Sequence, residues 1–241
     1  MTETGRAVPG RDEEDWFDDA FVSDWLDRQG NRVLERERRL SMVRSVILHA
    51  KDDPFKILDI AGGDGWLDEL LMQHFPKAEA TVVDGSPEMV RRAAERFKPF
   101  GGRGHVVQAD LAQPDWIKAT GGPFDFIVST IALHNLEDPK RLREVYGEIY
   151  QITAENGLFV NHDYVRAAHP SLGSVFQWAS ADPDAGFMPV RGYRAYVGSV
   201  EEHLGWLREA GYAPVDCFWR ELRLAFFGGF RGGARVPTRR D

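Results

Sequence analysis

The sequence predicts an α/β fold with a doubly wound, mostly parallel sheet of seven strands that ends in a C-terminal antiparallel hairpin. From residue 56 onward, short apolar runs alternate with helical stretches, a pattern typical of a parallel sheet with helices on both faces. A glycine-rich turn follows the first apolar run. The last two apolar runs have no room for a helix between them, so they must pair as a hairpin.

Two helices are expected before the sheet, as an N-terminal helical cap over residues 12–50 that follows a disordered lead-in over residues 1–11. The first carries an aromatic stripe at i, i+4 spacing that includes Phe17, Phe21 and Trp25. The second has an apolar face opposite several arginines. Aromatic stripes usually pack on a core, and a lid over a pocket is the alternative interpretation.

Residues 51–230 contain the predicted sheet and its helices. Helix starts are marked by Ser86-Pro87, by Asp138-Pro139 and by a capping box that begins at Ser199. The predicted parallel strands are 56–60, 80–84, 105–109, 124–130 and 157–161, and the predicted hairpin pairs 215–219 with 222–227.

Composition and charge exclude several classes of protein. Hydrophobic residues at 43% and charged residues at 28% fit a globular protein and exclude a disordered tail or a coiled coil. The single cysteine, Cys217, excludes an internal disulfide and a multi-cysteine metal site, and it is expected to be a buried core thiol. No apolar run approaches roughly 18 residues and the start is polar, so we expect a cytoplasmic protein with no membrane contact.

The charge is concentrated at the N-terminus. Residues 1–30 carry nine acidic residues and three arginines, a net of −6 out of the total −8. Such a segment would repel a phosphate backbone, so a nucleic-acid partner is disfavoured. Residues 231–241 form a basic tail with four arginines, where nucleic-acid contact is the alternative to a solvated end.

The glycine-rich turn runs from Ala61 to Gly65 at the end of the first strand, where ligands bind in open α/β sheets. A dinucleotide fingerprint counted from Gly63 and Gly65 would put its third glycine at Asp68, which fits a pyrophosphate poorly. A Walker loop is also absent, because no Gly-Lys-Ser/Thr follows.

Two acids stand at corresponding strand ends. Asp84 ends the second strand, where a carboxylate can accept both hydroxyls of a ribose. Asp110 follows the third strand, where a side chain can meet the edge of an adenine. Each acid alone is explained by the preference of Asp for turns and caps. Together with the glycine turn they predict a nucleoside-containing ligand.

At these residues the sequence resembles the class I S-adenosylmethionine-dependent methyltransferases, including their small-molecule, type 12-like group. The layout also resembles the branch that modifies wobble uridines in tRNA. Ala61 departs from the family, which usually has a glycine there. The matching segments lie within residues 55–230 and are Leu58 to Gly65, Val83-Asp84, Ala109-Asp110-Leu111, Phe124 to Thr130 and Ala132 to Leu136.

The resemblance implies S-adenosyl-L-methionine as cofactor and S-adenosyl-L-homocysteine as its product. It implies a cofactor site along the carboxyl edge of the sheet. The methionine part would meet Asp59, Ala61, Gly62, Gly63 and Gly65, the ribose side Asp84, Gly85, Ser86 and Met89, the adenine Asp110 and Leu111, and the methyl group Thr130 and Ile131.

Two histidines are candidate catalytic bases, because imidazole titrates near neutral pH. His134 follows the fourth strand and His162 follows the fifth, both at the edge where an acceptor would bind. The alternative for His134 is a backbone hydrogen bond within its turn. The run Asn161 to Asp163 also suggests a metal site, but strand four ends in Ser129-Thr130 rather than an acid, so no metal is expected.

Residues 164–198 are expected to form a substrate lid, because the stretch is long, irregular and rich in aromatic residues. A surface excursion that packs on itself is the alternative. We expect a monomer or homodimer that methylates oxygen or nitrogen of a small molecule. A tRNA methyltransferase and a cofactor-binding homologue without methyl transfer remain open. The candidate acceptor contacts are Trp16, Tyr164, Trp178 and Tyr193.

Overall fold

A computed structural model describes residues 16–29, 33–180 and 198–236. Its sheet strands are β1 Lys56–Ile60, β2 Glu79–Asp84, β3 Gly104–Gln108, β4 Phe124–Thr130, β5 Thr153–Tyr164, β6 Val215–Glu221 and β7 Leu224–Phe230. Its α-helices are α1 Asp19–Gln29, α2 Val33–Val46, α3 Trp66–His74, α4 Pro87–Phe97, α5 Trp116–Thr120, α6 Pro139–Ile152, α7 Pro170–Ser180 and α8 Val200–Ala210.

The seven strands form one sheet in the order β3-β2-β1-β4-β5-β7-β6. Strand β1 pairs in parallel with both β2 and β4, so the chain reverses its direction of winding between these two neighbours. Strand β7 is antiparallel to both β5 and β6. This arrangement confirms the fold class predicted from the sequence, and it puts a topological switch point beside β1.

Helices cover both faces of the sheet, which explains why the central strands are almost continuously apolar. On one face α2, α3 and α4 contribute core residues such as Val43, Leu71 and Phe97. On the other face α6 and α8 contribute Tyr146 and Leu207. A buried polar side chain in such strands, as at Asp59 of β1, is therefore a marked exception.

Helix α1 begins at Asp19, later than the sequence pattern suggests within residues 16–29. The cause is local, because the Asp18 carboxylate accepts a hydrogen bond from the Phe21 amide at 2.7 Å and caps the helix. Trp16 and Phe17 precede α1 in a turn. The lead-in over residues 1–11 lies outside the described residues, as do residues 237–241 of the tail.

Strand β5 is longer than predicted, since it begins at Thr153 instead of Gly157 and reaches Tyr164. The hairpin strands also extend further, to Glu221 and Phe230. Thr153 and the added C-terminal residues of β5 pair with neighbouring strands, as do the added residues of the hairpin, and such pairing is not visible in a single sequence. Tyr164, placed in the predicted lid, is therefore a sheet residue.

Candidate functional site

A cavity of about 320 Å³ opens at the carboxyl edge of the sheet, beside the switch point at β1. Turns after β1, β2, β3 and β4 form its floor, and the N-terminal helices form a wall. Its lining is Trp16, Phe17, Trp25, Arg36, Arg39, Ala61, Gly62, Gly63, Asp64, Trp66, Asp84, Gly85, Ser86, Met89, Asp110, Leu111, Ala112, Thr130, Ile131, Ala132, Asn135, Leu136 and Tyr164.

The turn after β1 needs its small residues. A Cβ on Gly62 would lie 2.7 Å from Cγ of Asp59, closer than side chains approach. Ala61 and Gly63 both have positive φ, of 52° and 60°. Gly65 does not line the cavity; a Cβ there would lie 2.9 Å from the Phe97 ring, so this glycine permits helix α4 to pack closely.

Asp84 joins the turns after β1 and β2. One carboxylate oxygen accepts from the Gly63 amide at 2.9 Å, and the other accepts from the Ser86 amide at 2.9 Å. Burial raises the pKa of Asp84, and the amide hydrogen bonds oppose this effect. Ser86 also caps α4 by accepting from the Met89 amide at 3.4 Å. The predicted ribose carboxylate is thus held in place by backbone before any ligand binds.

Asp59 lies beneath the glycine turn rather than in the cavity lining. It is buried beside Asp68 of α3. Burial and the neighbouring Asp68 raise the pKa of Asp59, and burial raises the pKa of Asp68 to about 7. Burial thus favours the protonated form of both carboxyl groups.

Asp110 and Leu111 line the end of the cavity beyond β3. The Asp110 carboxylate accepts from the Ala112 amide at 2.8 Å. The Arg141 guanidinium donates to the Leu111 carbonyl at 2.9 Å and forms an ion pair with Glu148 at 2.7 Å. Arg141, which the sequence did not single out, fixes the turn in which the predicted adenine contacts lie.

The turn after β4 contains a strained residue. Ile131 has a φ of 54°, which is rare for a β-branched side chain. Its amide donates to the His162 carbonyl at 2.7 Å, so this turn is tied to β5. Thr130 and Ile131 both line the cavity. They are the residues that the sequence resemblance predicts to lie beside a reactive methyl group. Strained backbone of this kind persists only where its surroundings hold it.

His134 is bound to Asp163 of β5. Nδ1 of the ring lies 2.7 Å from Oδ1 of Asp163, and the His134 amide donates to Oδ2 at 2.9 Å. The ring is 7% exposed and meets the Tyr164 ring edge-on, with centroids 5.3 Å apart. Since Asp163 occupies Nδ1, Nε2 is the nitrogen that remains for proton transfer. His134 is not in the cavity lining, and Tyr164 is.

His162 has a different environment. Both ring nitrogens are buried and have no hydrogen-bond partner in the described part of the chain, and the ring centroid lies 6.0 Å from those of Trp219 and Phe226. Burial lowers its pKa to about 3. The structure does not bring this histidine to the cavity lining.

The aromatic residues of the N-terminal cap do reach the cavity. Trp16 and Trp25 line it, with ring centroids 5.2 Å apart in an edge-on arrangement. Trp178 on α7 is 80% exposed and is not among the lining residues. Tyr193 lies outside the described residues, as do residues 181–197 of the predicted lid.

Arg36 and Arg39 of α2 also line the cavity, although the sequence pattern placed the arginines of this helix on a face without a motif. Asn135 was likewise not predicted. Within the described ranges no group of three metal-ligating side chains occurs, and no helix there has the length and apolar character to cross a bilayer.

Comparison with known proteins finds methyltransferases. A family described as a methyltransferase domain matches residues 57–157. Trans-aconitate 2-methyltransferase from Streptomyces avermitilis is 36% identical over 81 residues, 34% of this chain and 29% of that protein. Malonyl-[acyl-carrier protein] O-methyltransferase from Paenibacillus sp. is 29% identical over 164 residues, 67% of this chain and 56% of that protein.

The chain thus spans 29% and 56% of the lengths of these two relatives. Among solved structures, that of PigF with SAH superimposes on this chain with a TM-score of 0.66 at 18% identity. The match covers 91% of this chain and 63% of the PigF chain. The likeness to that structure concerns the fold. The domain match identifies residues 57–157, somewhat less than half of the chain, as similar to a methyltransferase domain, and the two relatives named above are methyltransferases.

Proposed function

We propose that the protein transfers a methyl group from S-adenosylmethionine to oxygen or nitrogen of a small molecule. The observation that carries the proposal is the single cavity that collects the glycine turn, Asp84, Asp110 and the strained turn at Ile131. These residues come from four different strand ends. A fold that needed them only for stability would not have to turn them toward one opening.

The residues present fit the cofactor. Ala61, Gly62 and Gly63 line the cavity, and a Cβ on Gly62 would collide with Asp59 beneath the turn. Gly63 and Met89 also line the cavity, and a Cβ on Gly63 would lie 3.6 Å from Sδ of Met89. In this proposal Ala61 to Gly63 hold the methionine part, Asp84 the ribose, and Asp110 with Leu111 the adenine. When bound, the cofactor supplies an electrophilic methyl group on a sulfonium.

The chain's own contribution is mainly alignment, which can supply roughly 7–11 kcal/mol of a barrier. The rigid turn at Thr130 and Ile131 would fix the position of the acceptor. Trp16, Trp25 and Tyr164 would exclude water and support an apolar part of the acceptor. His134 does not itself line the cavity, but its ring contacts that of Tyr164, which does; oriented by Asp163, it is the proposed base for an acceptor that must lose a proton.

Transfer to oxygen has support from a relative. The malonyl-[acyl-carrier protein] enzyme is named an O-methyltransferase. The name of the second relative, which states trans-aconitate, supports a small molecule as acceptor. The cavity volume of about 320 Å³ is also in the range of small-molecule sites.

Titration calorimetry with S-adenosylhomocysteine tests the proposal, with NAD as the control ligand. Micromolar binding of S-adenosylhomocysteine and no binding of NAD are expected. Transfer of labelled methyl groups to a panel of phenols, acids and amines then tests the reaction. Failure of S-adenosylhomocysteine to bind would overturn the proposal, and tight binding without transfer to any acceptor would favour a cofactor-binding homologue.

A further inference from the structure

Two arginines of the cap helix α2 line the cavity next to the glycine turn. Arg36 and Arg39 are three residues apart and so project from one side of the helix. Their Cζ atoms lie 5.2 and 5.8 Å from the centre of the Trp66 ring. Trp66 is the first residue of helix α3, directly after Gly65, and it lines the cavity. Its indole therefore holds both cations at the cavity wall.

Neither of these arginines forms an ion pair with a carboxylate of the described residues, and this separates them from other arginines of the chain. Arg38 pairs with Glu221 at 2.9 Å and Arg96 with Asp64 at 2.5 Å. Nε of Arg39 is buried and has no acceptor among the described residues. Burial also lowers the pKa of Arg39. Burial of a guanidinium is costly when its donors are not all satisfied, which favours binding of an external anion at this site.

The acids around the cavity are already engaged. Asp64 binds Arg96, Asp84 accepts from two backbone amides, and Asp110 accepts from the Ala112 amide. Glu35, Asp59 and Tyr164 lie near enough to Arg39 to favour its charged form. A cofactor with a sulfonium adds positive charge to the same cavity, so an anionic second ligand would be electrostatically favoured.

We propose that Arg36 and Arg39 bind a carboxylate of the acceptor, and that the acceptor is therefore an organic acid. The inference rests on the proposed function. Planar guanidinium groups match carboxylates in geometry and bind them through paired hydrogen bonds. The aromatic wall of Trp16 and Trp25 suits an acid with an apolar or aromatic body. The carboxylate is an anchor here and does not determine which atom is methylated.

The cofactor also has a carboxylate, at its methionine end, and the glycine turn lies near both arginines. The two sources are separated by comparing S-adenosylhomocysteine with 5′-methylthioadenosine, which lacks the amino-acid part. If the arginines serve the acceptor, Arg36→Gln and Arg39→Gln leave the affinity for both nucleosides within about twofold. A loss of affinity for S-adenosylhomocysteine alone would assign the arginines to the cofactor and overturn the inference.

The acceptor itself is tested on the full chain saturated with S-adenosylhomocysteine. Benzoate, cinnamate, succinate and citrate are titrated, each beside its amide. At least one acid is expected to bind better than its amide, with about tenfold or greater loss in Arg39→Gln and in the double variant. Arg39→Lys, which keeps the charge, should restore part of the affinity.

Arg44→Gln is the matched control, because Arg44 lies on the same helix, is exposed and does not line the cavity. It should leave binding of the acid unchanged. Retained binding of 5′-methylthioadenosine shows that each variant is folded. Acids that bind no better than their amides, or equally well to Arg39→Gln, would overturn the acidic acceptor. Absence of nucleoside binding to the unmodified protein would instead overturn the proposed function.

Discussion

Asp163 binds His134 twice, through ring Nδ1 at 2.7 Å and through the main-chain amide at 2.9 Å. This contact joins the turn after β4 to the end of β5. It fixes the ring orientation and leaves Nε2 available. Burial raises the pKa of Asp163. The His134 ring and two backbone amides lower this pKa by a larger amount, so the net pKa lies below its usual value.

Asp163→Asn should disturb the orientation of His134, the proposed base, and lower turnover without changing cofactor binding. Asp163 accepts hydrogen bonds from the His134 ring, the His134 amide and the Tyr164 amide. The side-chain amide of asparagine cannot accept all three, so we expect a loss of about 1–3 kcal/mol in the free energy of unfolding. Turnover on an identified acceptor should fall at least about tenfold, while affinity for S-adenosylhomocysteine stays within about twofold. Urea unfolding, kinetics and calorimetry measure these quantities. Asp216→Asn, at an exposed position of β6, is the control.

The pH dependence gives a second test of the same pair. A lowered pKa in the folded state means that ionised Asp163 stabilises the protein above about pH 4, and that this contribution is lost as the pH falls through the lower value. The stabilities of the unmodified protein and Asp163→Asn should therefore converge in acid. A constant difference down to the acid transition would contradict the assignment.

His162→Leu should stabilise the protein by an amount that increases as the pH falls below about 6.5. In the unfolded chain His162 takes up a proton near pH 6.5, but in the folded state burial lowers its pKa to about 3. Stability is therefore lost as pH falls from about 6.5, and leucine removes this loss. We expect its advantage to grow by about 2 kcal/mol between pH 7 and pH 5 in urea unfolding. An equal advantage at both values would refute the argument.

Asp84→Ala should weaken cofactor binding. It removes the proposed ribose acceptor and the carboxylate that holds the Gly63 and Ser86 amides. Affinity for S-adenosylhomocysteine should fall by about 1.5–3 kcal/mol, measured by calorimetry. Asp138→Ala is a matched control, because Asp138 caps α6 through the Lys140 amide without lining the cavity. Equal losses in both variants would count against the ribose assignment.

Gly62→Ala should disrupt the turn beneath the cofactor. The new Cβ would lie 2.7 Å from Cγ of the buried Asp59, so the turn must move. We expect about 1–3 kcal/mol of destabilisation and loss of S-adenosylhomocysteine binding. Gly147→Ala in α6 meets nothing within 4 Å and should stabilise the helix by about 0.5–1 kcal/mol. Unimpaired binding in Gly62→Ala would show that close packing on Asp59 is not required.

Features encoded within a few residues were predictable from the sequence. The glycine turn, the Ser199 capping box and the strand ends at Asp84 and Thr130 all occur where local patterns place them. Predicting the fold needed only their order along the chain, because parallel strands with short connections have few possible arrangements.

Features that depend on packing were not predictable. Asp163 was read as part of a possible metal run, yet its partner is His134, 29 residues earlier. Arg39 appeared to lie on a plain charged face, because a helical pattern does not show which polar residues a neighbouring turn will cover. Arg141 reaches the Leu111 carbonyl across 30 residues, a contact without any local signal.

The contact between Arg38 and the terminal hairpin has a consequence for the order in which the protein matures. Arg38 stacks on Trp219 at 4.7 Å and pairs with Glu221, so the helix that carries Arg36 and Arg39 is secured by strand β6. During translation the glycine turn emerges long before that strand. A nascent chain would thus contain the turns proposed to bind the nucleoside while helix α2 still lacked this support, and the proposed selectivity for an acidic acceptor would be complete only once residue 221 had left the ribosome.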